Sequence, residues 1–187
     1  MYMKELVRCK PCGYIMEKDK LGDECPACGV SSKVFEPYKD RMSEKRRKFL
    51  DLDLHPIAVH FPQTIAVFIM QFALLNIVLP DFKSQEIAAF VLFLSVLLPF
   101  SVVGAFVSGV IDGKLRFKKL STIALRRKII IGSAMILSSI VVAVIAVVYE
   151  YTFASKIGIL VSSIVTLALA ISLAVTGKKL MYAEMPG

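Results

Sequence analysis

The residues best suited to chemistry are four cysteines in two pairs near the start of the sequence. Each pair has the spacing C-x2-C, and twelve residues separate Cys9 and Cys12 from Cys25 and Cys28. Two such pairs can bring four thiolates together around one metal ion. A glycine follows each pair, and it permits a tight turn whose N–H groups can bond the sulfurs. The spacing therefore predicts a four-thiolate metal site, and it does not distinguish iron from zinc.

The sequence around these cysteines resembles a rubredoxin domain. The first pair lies in CKPCGYI, the second lies in CPACGV, and the aromatic residue Phe35 follows. The resemblance implies one iron ion that is held by the four cysteines and carries one electron, with Tyr14 and Phe35 packed near it. The twelve-residue insert is similar to that of the shortened rubredoxin domains of rubrerythrins. Zinc ribbons have similar pairs, so zinc is the alternative metal.

The cysteine region is expected to lie in the cytoplasm. The first 50 residues contain no apolar segment of the signal-peptide type. Disulfides are rare in that reducing compartment, which argues against two disulfides as the role of the cysteines. About 38 residues cannot build an adequate hydrophobic core alone, so we expect the metal to be the folding centre of this region.

The two histidines of the sequence lie five residues apart, in the segment LHPIAVHFP. In an ideal helix His60 shares a face with Thr64 and Gln71, and polar groups at membrane depth turn toward the bundle interior. We therefore expect His60 to face inward and His55 to lie at the membrane interface. Asp112 lies at a similar depth, so it is a candidate partner for a histidine.

A membrane redox site is the functional interpretation of His55, His60 and Asp112. One ligand for such a site is a b-type haem held by a histidine. Its second axial ligand would come from Met135 or from another copy in a homodimer, because two residues on one helix cannot bind opposite faces of the ring. Another ligand is a quinone, with a histidine bonding its carbonyl and Asp112 exchanging protons. A capping and packing role without a cofactor is the third interpretation.

The histidine segment also resembles the HPxxVHFP signature of a bacterial and archaeal membrane family. The stretch 108–112, SGVID, resembles the end of that family's second helix. The resemblance covers about 55–176 and implies a four-helix membrane domain. It carries no activity over to this chain.

Four long apolar runs must form the framework that holds these residues. Each has at least 20 residues, which is enough to cross a bilayer as a helix, and they are 57–79, 87–111, 129–148 and 157–176. We predict a mainly α fold in three parts: a small N-terminal rubredoxin-like metal knuckle domain, a basic linker and a four-transmembrane-helix bundle. Their ranges are 1–38, 39–55 and 56–187. Asp112 and Gly113 are expected to end the second helix, and Gly177 the fourth.

The net charge of +8 is concentrated beside the apolar runs. Residues 39–48 carry six Lys or Arg, residues 112–128 carry seven, and Lys178 and Lys179 follow the fourth run. The positive-inside rule then places both termini in the cytoplasm, with the four spans in the plasma membrane. Contact with anionic membrane lipid explains these charges, so nucleic acid is not an expected partner.

These features together predict a membrane-bound one-electron carrier rather than a substrate-converting enzyme. A cytoplasmic reductase or ferredoxin would exchange electrons with the iron centre, and a haem or quinone would do so in the bundle. The first alternative is a zinc ribbon that recruits a partner or stabilises an assembly. The second is a transporter or channel that uses His60, Thr64 and Gln71, although four helices are few for that task.

Overall fold

The computed structural model describes residues 5–39, 44–117 and 122–181. The chain divides into two compact units, residues 1–48 and residues 49–187. It is mostly helical, at 74%. The predicted fold class is confirmed: four long apolar helices accompany a small N-terminal region of strands.

The first unit is a three-stranded antiparallel sheet with β1 in the centre. The strands are β1 (Leu6–Cys9), β2 (Ile15–Glu17) and β3 (Phe35–Tyr38), in the order β2-β1-β3. Short 3-10 turns occupy Lys18–Lys20 and Ser32–Val34. Among the described residues of this sheet unit, only Val7, Cys9 and Cys25 are buried. So small an apolar core cannot offset the entropy of ordering the chain, which makes a bound metal the natural folding centre.

The second unit is a bundle of long helices. The short helix α1 (Glu44–Leu50) precedes them and spans the division between the two units. The long helices are α2 (Leu54–Val78), α3 (Ser84–Phe117), α4 (Ile123–Val148) and α5 (Phe153–Met181), with 25, 34, 26 and 29 residues. Because about 20 residues cross the hydrocarbon core, each helix is long enough to span a membrane.

Two helices continue past residues that were expected to end them. α3 runs through Asp112 and Gly113 to Phe117, because the Asp112 carboxylate accepts from Arg116 one turn later and the turn between them is kept. α5 likewise runs through Gly177 to Met181. Neither glycine has the positive φ that ends a helix. Asp112, Gly113 and Gly177 therefore lie inside their helices and do not end them.

The four long helices pack in a ring, with α2 and α4 each lying between α3 and α5. Ser84, at the start of α3, lies 3.5 Å from Asn76 near the end of α2, so this pair is antiparallel. Between α4 and α5 the hydroxyls of Ser138 and Thr166 are 2.8 Å apart. The buried Ser139 and Ser163 donate their hydroxyls to carbonyls on the preceding turn, those of Ile136 and Leu160, whereas the buried Ser95 hydroxyl has no partner among the described residues. Small hydroxyl residues thus allow close helix contact without leaving many polar groups unpaired.

Large apolar side chains cover the outside of the bundle. Examples are Phe61, Phe93 and Phe100, each more than 60% exposed. Apolar surface on this scale is unfavourable in water and favourable in hydrocarbon. The outward faces therefore fit contact with lipid.

Candidate metal centre and bundle cavity

The four cysteine sulfurs converge on one point. One Sγ from each of Cys9, Cys12, Cys25 and Cys28 lies within 4.8 Å of the others. Two distances between the pairs are 3.8 Å, from Cys9 to Cys28, and 3.7 Å, from Cys12 to Cys25. A tetrahedron with metal–sulfur bonds of ~2.3 Å has sulfur–sulfur edges of about 3.8 Å. The cysteines are free rather than paired in disulfides, and their geometry fits a single tetrahedral metal ion.

The two cysteine pairs lie in turns with the same hydrogen bonds. The N–H of Gly13 donates to the Cys9 carbonyl at 2.9 Å, and that of Gly29 donates to the Cys25 carbonyl at 2.8 Å. Both glycines have left-handed φ angles, +75° and +72°, which a side chain would disfavour. Each turn therefore needs its glycine, and it directs N–H groups toward the sulfurs.

Thiols this close together cannot all ionise without a nearby cation. Burial raises the pKa of the Cys9 thiol. Burial acts in the same direction on Cys25, but backbone N–H groups of Ala27 and Cys28 outweigh it and lower the Cys25 pKa to about 7. The Val30 N–H lowers the pKa of Cys28, but desolvation and the neighbouring sulfurs outweigh it and raise that pKa to about 12. A metal ion supplies the charge that lets all four bind as thiolates.

Burial alternates within each cysteine pair. Cys9 and Cys25 are fully buried, whereas Cys12 and Cys28 are exposed. The register of the sheet places Phe35 opposite Cys9. Tyr14 is 42% exposed. One edge of the sulfur cluster thus faces the outside of the unit.

This geometry agrees with the family comparison. Residues 8–36 match the family model "Rubrerythrin, rubredoxin-like domain". The match includes all four cysteines, so they form a rubredoxin-like metal site. No curated protein and no solved structure matches the chain. The rubredoxin-like domain accounts for the first unit and leaves the helical bundle without a family assignment.

The bundle contains a second candidate site, a cavity of about 360 Å³ lined by all four long helices. Its walls are mostly apolar, and its charged or ionisable side chains are His55, Asp112, Arg116 and Lys128. These four residues lie near the start of α2, near the end of α3 and near the start of α4. An apolar cavity with a few convergent polar groups is the usual form of a small-molecule site, and this volume is typical of one.

The His55 ring contacts Ser108 at the cavity wall. Its Nδ1 lies 3.2 Å from the Ser108 Oγ, and that hydroxyl donates its own hydrogen to the Ala105 carbonyl at 2.8 Å. While Ser108 donates to that carbonyl, the neutral ring donates from Nδ1 and keeps a lone pair on Nε2. A Cβ added to Gly109 would lie 2.7 Å from the His55 Cε1, so only glycine fits against the ring.

Three charged side chains complete the polar part of the cavity. The Asp112 carboxylate accepts from Arg116 Nε at 3.0 and 3.1 Å. The half-buried Lys128 has no hydrogen bond or ion pair to any residue in the described part of the chain. A Cβ on Gly177 would lie 3.5 Å from Lys128 Nζ, which places the ammonium against α5. The cavity thus carries two cations and one anion.

The expectation that His60 faces the bundle interior is wrong. His60, Thr64 and Gln71 are all exposed. The buried face of α2 follows Pro62, Ile65, Ala66, Ile69 and Ala73, and His60 lies two residues before Pro62, about 200° around the helix. Small and branched side chains decide which face packs, because apolar residues on the other faces are equally stable against lipid. Of the predicted membrane residues, the structure brings together His55 and Asp112 but not His60.

Sequence reasoning missed the partners of His55 and Asp112. Lys128 and Arg116 appear in the sequence as members of a basic cluster that orients the protein in the membrane. Gly109 appears as part of a small-residue pattern. The signal that could have marked Lys128 is its place at the start of an apolar run, one helix position beyond two exposed arginines.

Proposed function

We propose that the protein is a membrane-bound one-electron carrier with an Fe(Cys)4 centre of the rubredoxin type. Cys9, Cys12, Cys25 and Cys28 hold the iron, which supplies a single-electron couple when bound. The observation that carries this proposal is the convergence of four cysteine sulfurs within 4.8 Å of one another, inside a matched rubredoxin-like domain. Electron transfer needs no substrate pocket at the metal, which agrees with four protein ligands and no open coordination position.

The exposed edge of the cluster supports exchange of electrons with a soluble partner. Cys12 and Cys28 are exposed, so a reductase or ferredoxin can approach the metal closely. The other two ligands, Cys9 and Cys25, are buried, and backbone N–H groups bond the Cys25 sulfur. In this proposal the soluble partner is cytoplasmic, and both termini of the chain lie on the same side of the plasma membrane.

The helical unit anchors the carrier and supplies its membrane redox site. That site is a haem or a quinone beside His55 and Asp112, the two predicted membrane residues that line the cavity. We also propose that 55–176 belong to the HPxxVHFP membrane family. A homodimer is compatible with this arrangement.

The test is an absorption spectrum of the full chain purified in detergent from cells grown with iron, taken oxidised and then reduced. We expect ferric–thiolate bands that bleach on reduction, with one iron per chain by metal analysis. Cys12→Ser should shift or remove these bands, whereas Lys10→Ser, at an exposed position two residues earlier, should leave them unchanged. Colourless protein with one zinc per chain would instead establish the alternative, a zinc module that recruits a partner or stabilises an assembly.

A further inference from the structure

The bundle cavity has hydrogen-bond donors and acceptors that its own residues leave available. Lys128 contributes an ammonium group without a partner among the described residues. His55 contributes the Nε2 lone pair, because Nδ1 is engaged by Ser108. The Asp112 oxygens each accept one bond from Arg116 and keep further lone pairs. The unused groups therefore include the Lys128 ammonium as a strong donor and two acceptors, beside the Arg116 Nη groups and the Gln63 amide, which also line the cavity.

This combination fits a neutral ligand better than an anion. An anionic amphiphile, such as a fatty acid, could accept from Lys128, but it has no hydrogen to donate to His55 Nε2 or to the Asp112 carboxylate. Of the two cations, Arg116 is already paired with that carboxylate. A haem would bring two carboxylate groups of its own. Lys128 is the one cavity cation in the described part of the chain that lacks a carboxylate partner within 4 Å, so only one of the two haem carboxylates would find an unpaired cation.

A quinone matches the groups in both of its oxidation states. The oxidised head has carbonyl oxygens, which accept hydrogen bonds, and the reduced head has hydroxyls, which donate them. Lys128 can donate to the first form, and His55 Nε2 and Asp112 can accept from the second. The apolar walls suit the ring and the start of an isoprenoid tail, and the volume suits a head group rather than a whole lipid.

We propose that the bundle cavity binds the head group of a lipid-soluble quinone. Lys128 donates to a carbonyl oxygen of the oxidised head, and His55 Nε2 accepts from a hydroxyl of the reduced head. The redox role of this ligand rests on the proposed function, but its binding does not require the metal centre. Gly109 is a positioning residue in this site, since it leaves room for the His55 ring.

The test measures binding without electron transfer. The zinc-loaded full chain in detergent is titrated with a short-tailed ubiquinone and a short-tailed naphthoquinone, by calorimetry or equilibrium dialysis. Lys128→Met should weaken binding about tenfold or more, as expected for loss of one hydrogen bond from a charged donor. Arg127→Met is the control, because it removes the same charge from the preceding, exposed position outside the cavity. We expect its quinone affinity to stay within about twofold of that of the unmodified chain. Lys128→Arg should restore most of the affinity.

A second measurement does not depend on any variant folding. An azido-quinone is photolysed with the unmodified chain, and labelled peptides are mapped. Labels on 102–113 or 125–135 support the proposal. Labels confined to the outer, lipid-facing positions would overturn it, as would equal affinity of the unmodified chain and Lys128→Met. A Soret band in natively purified protein that His55→Ala abolishes would assign the cavity to haem instead.

The two proposals can fail separately. Quinone binding by a protein that natively holds only zinc would end the electron-carrier proposal and keep the cavity assignment. Iron–thiolate bands without specific quinone binding would keep the carrier and refute the quinone site.

Discussion

A single methyl group at Gly29 should weaken metal binding measurably. Gly29 has φ +72°, and a Cβ built there meets no atom within 4 Å. The substitution Gly29→Ala therefore introduces no clash, and its whole cost is the left-handed backbone. That cost is ~1–2 kcal/mol for a residue with a Cβ. Because folding of so small a unit is coupled to metal binding, the cost should appear as about 5- to 30-fold weaker affinity.

Gly22→Ala is the matched control. Gly22 lies in the same unit and also has no atom within 4 Å of an added Cβ, but its φ is not in the left-handed range. We expect its metal affinity to be unchanged or slightly higher, because alanine restricts the unfolded chain. Gly29→Asn should fall between the two, since asparagine tolerates the left-handed region better than alanine does.

The assay is competition for zinc between the full chain and a chromophoric chelator at fixed pH. The expected order of affinity places Gly22→Ala with the unmodified chain, then Gly29→Asn, then Gly29→Ala. If Gly29→Ala binds within about twofold of the unmodified chain, the reasoning from backbone strain is refuted. Equal losses in Gly22→Ala and Gly29→Ala would refute it too, because Gly22 has no left-handed φ for alanine to strain.

Three further predictions concern the bundle. Tyr151→Phe should leave the thermal midpoint unchanged or raise it, because the buried hydroxyl has no partner in the described structure. Burial also raises the pKa of Tyr151 in the unmodified chain, so an alkaline absorbance titration should show a late-ionising tyrosine that the variant lacks. Ser138→Ala removes the hydroxyl contact to Thr166 and should cost ~0.6 kcal/mol of unfolding free energy in detergent; a cost above ~2 kcal/mol would contradict a simple interhelical bond. His60→Ala should leave quinone affinity unchanged in the dialysis assay, whereas His55→Ala should lower it; the reverse order would mean that the ligand sits outside the cavity.

The metal centre was predictable from sequence because its geometry is local. Each C-x2-C-G segment forms its own turn, closed by local bonds such as those from Cys9 to Tyr14 and from Cys25 to Val30. The turn brings both sulfurs of a pair to one side, so spacing alone determines most of the site. The membrane spans were predictable for a similar reason, since length and apolar composition suffice.

The orientation of α2 was not predictable by the same reasoning. In water, a polar residue marks the exposed face of a helix, but a bilayer makes all apolar faces acceptable. The packed face of α2 is set by how closely Ala66 and Ala73 let neighbouring helices approach, and that depends on the partners. The cavity was not predictable from the sequence either, because Asp112 and Lys128 lie on different helices and come to line one cavity only through helix packing.

The short insert between the two cysteine turns acts as a tether. The turns are near copies of each other, and each supplies half of the ligands, so neither can hold a metal alone. Twelve residues separate them. Linkers of this length keep their ends at roughly millimolar effective concentration, and each doubling of length would cost about 0.6 kcal/mol in closure. Capture of a metal by one turn is then followed by an intramolecular step rather than an encounter, so loading should be all-or-none and should resist slow loss of the metal.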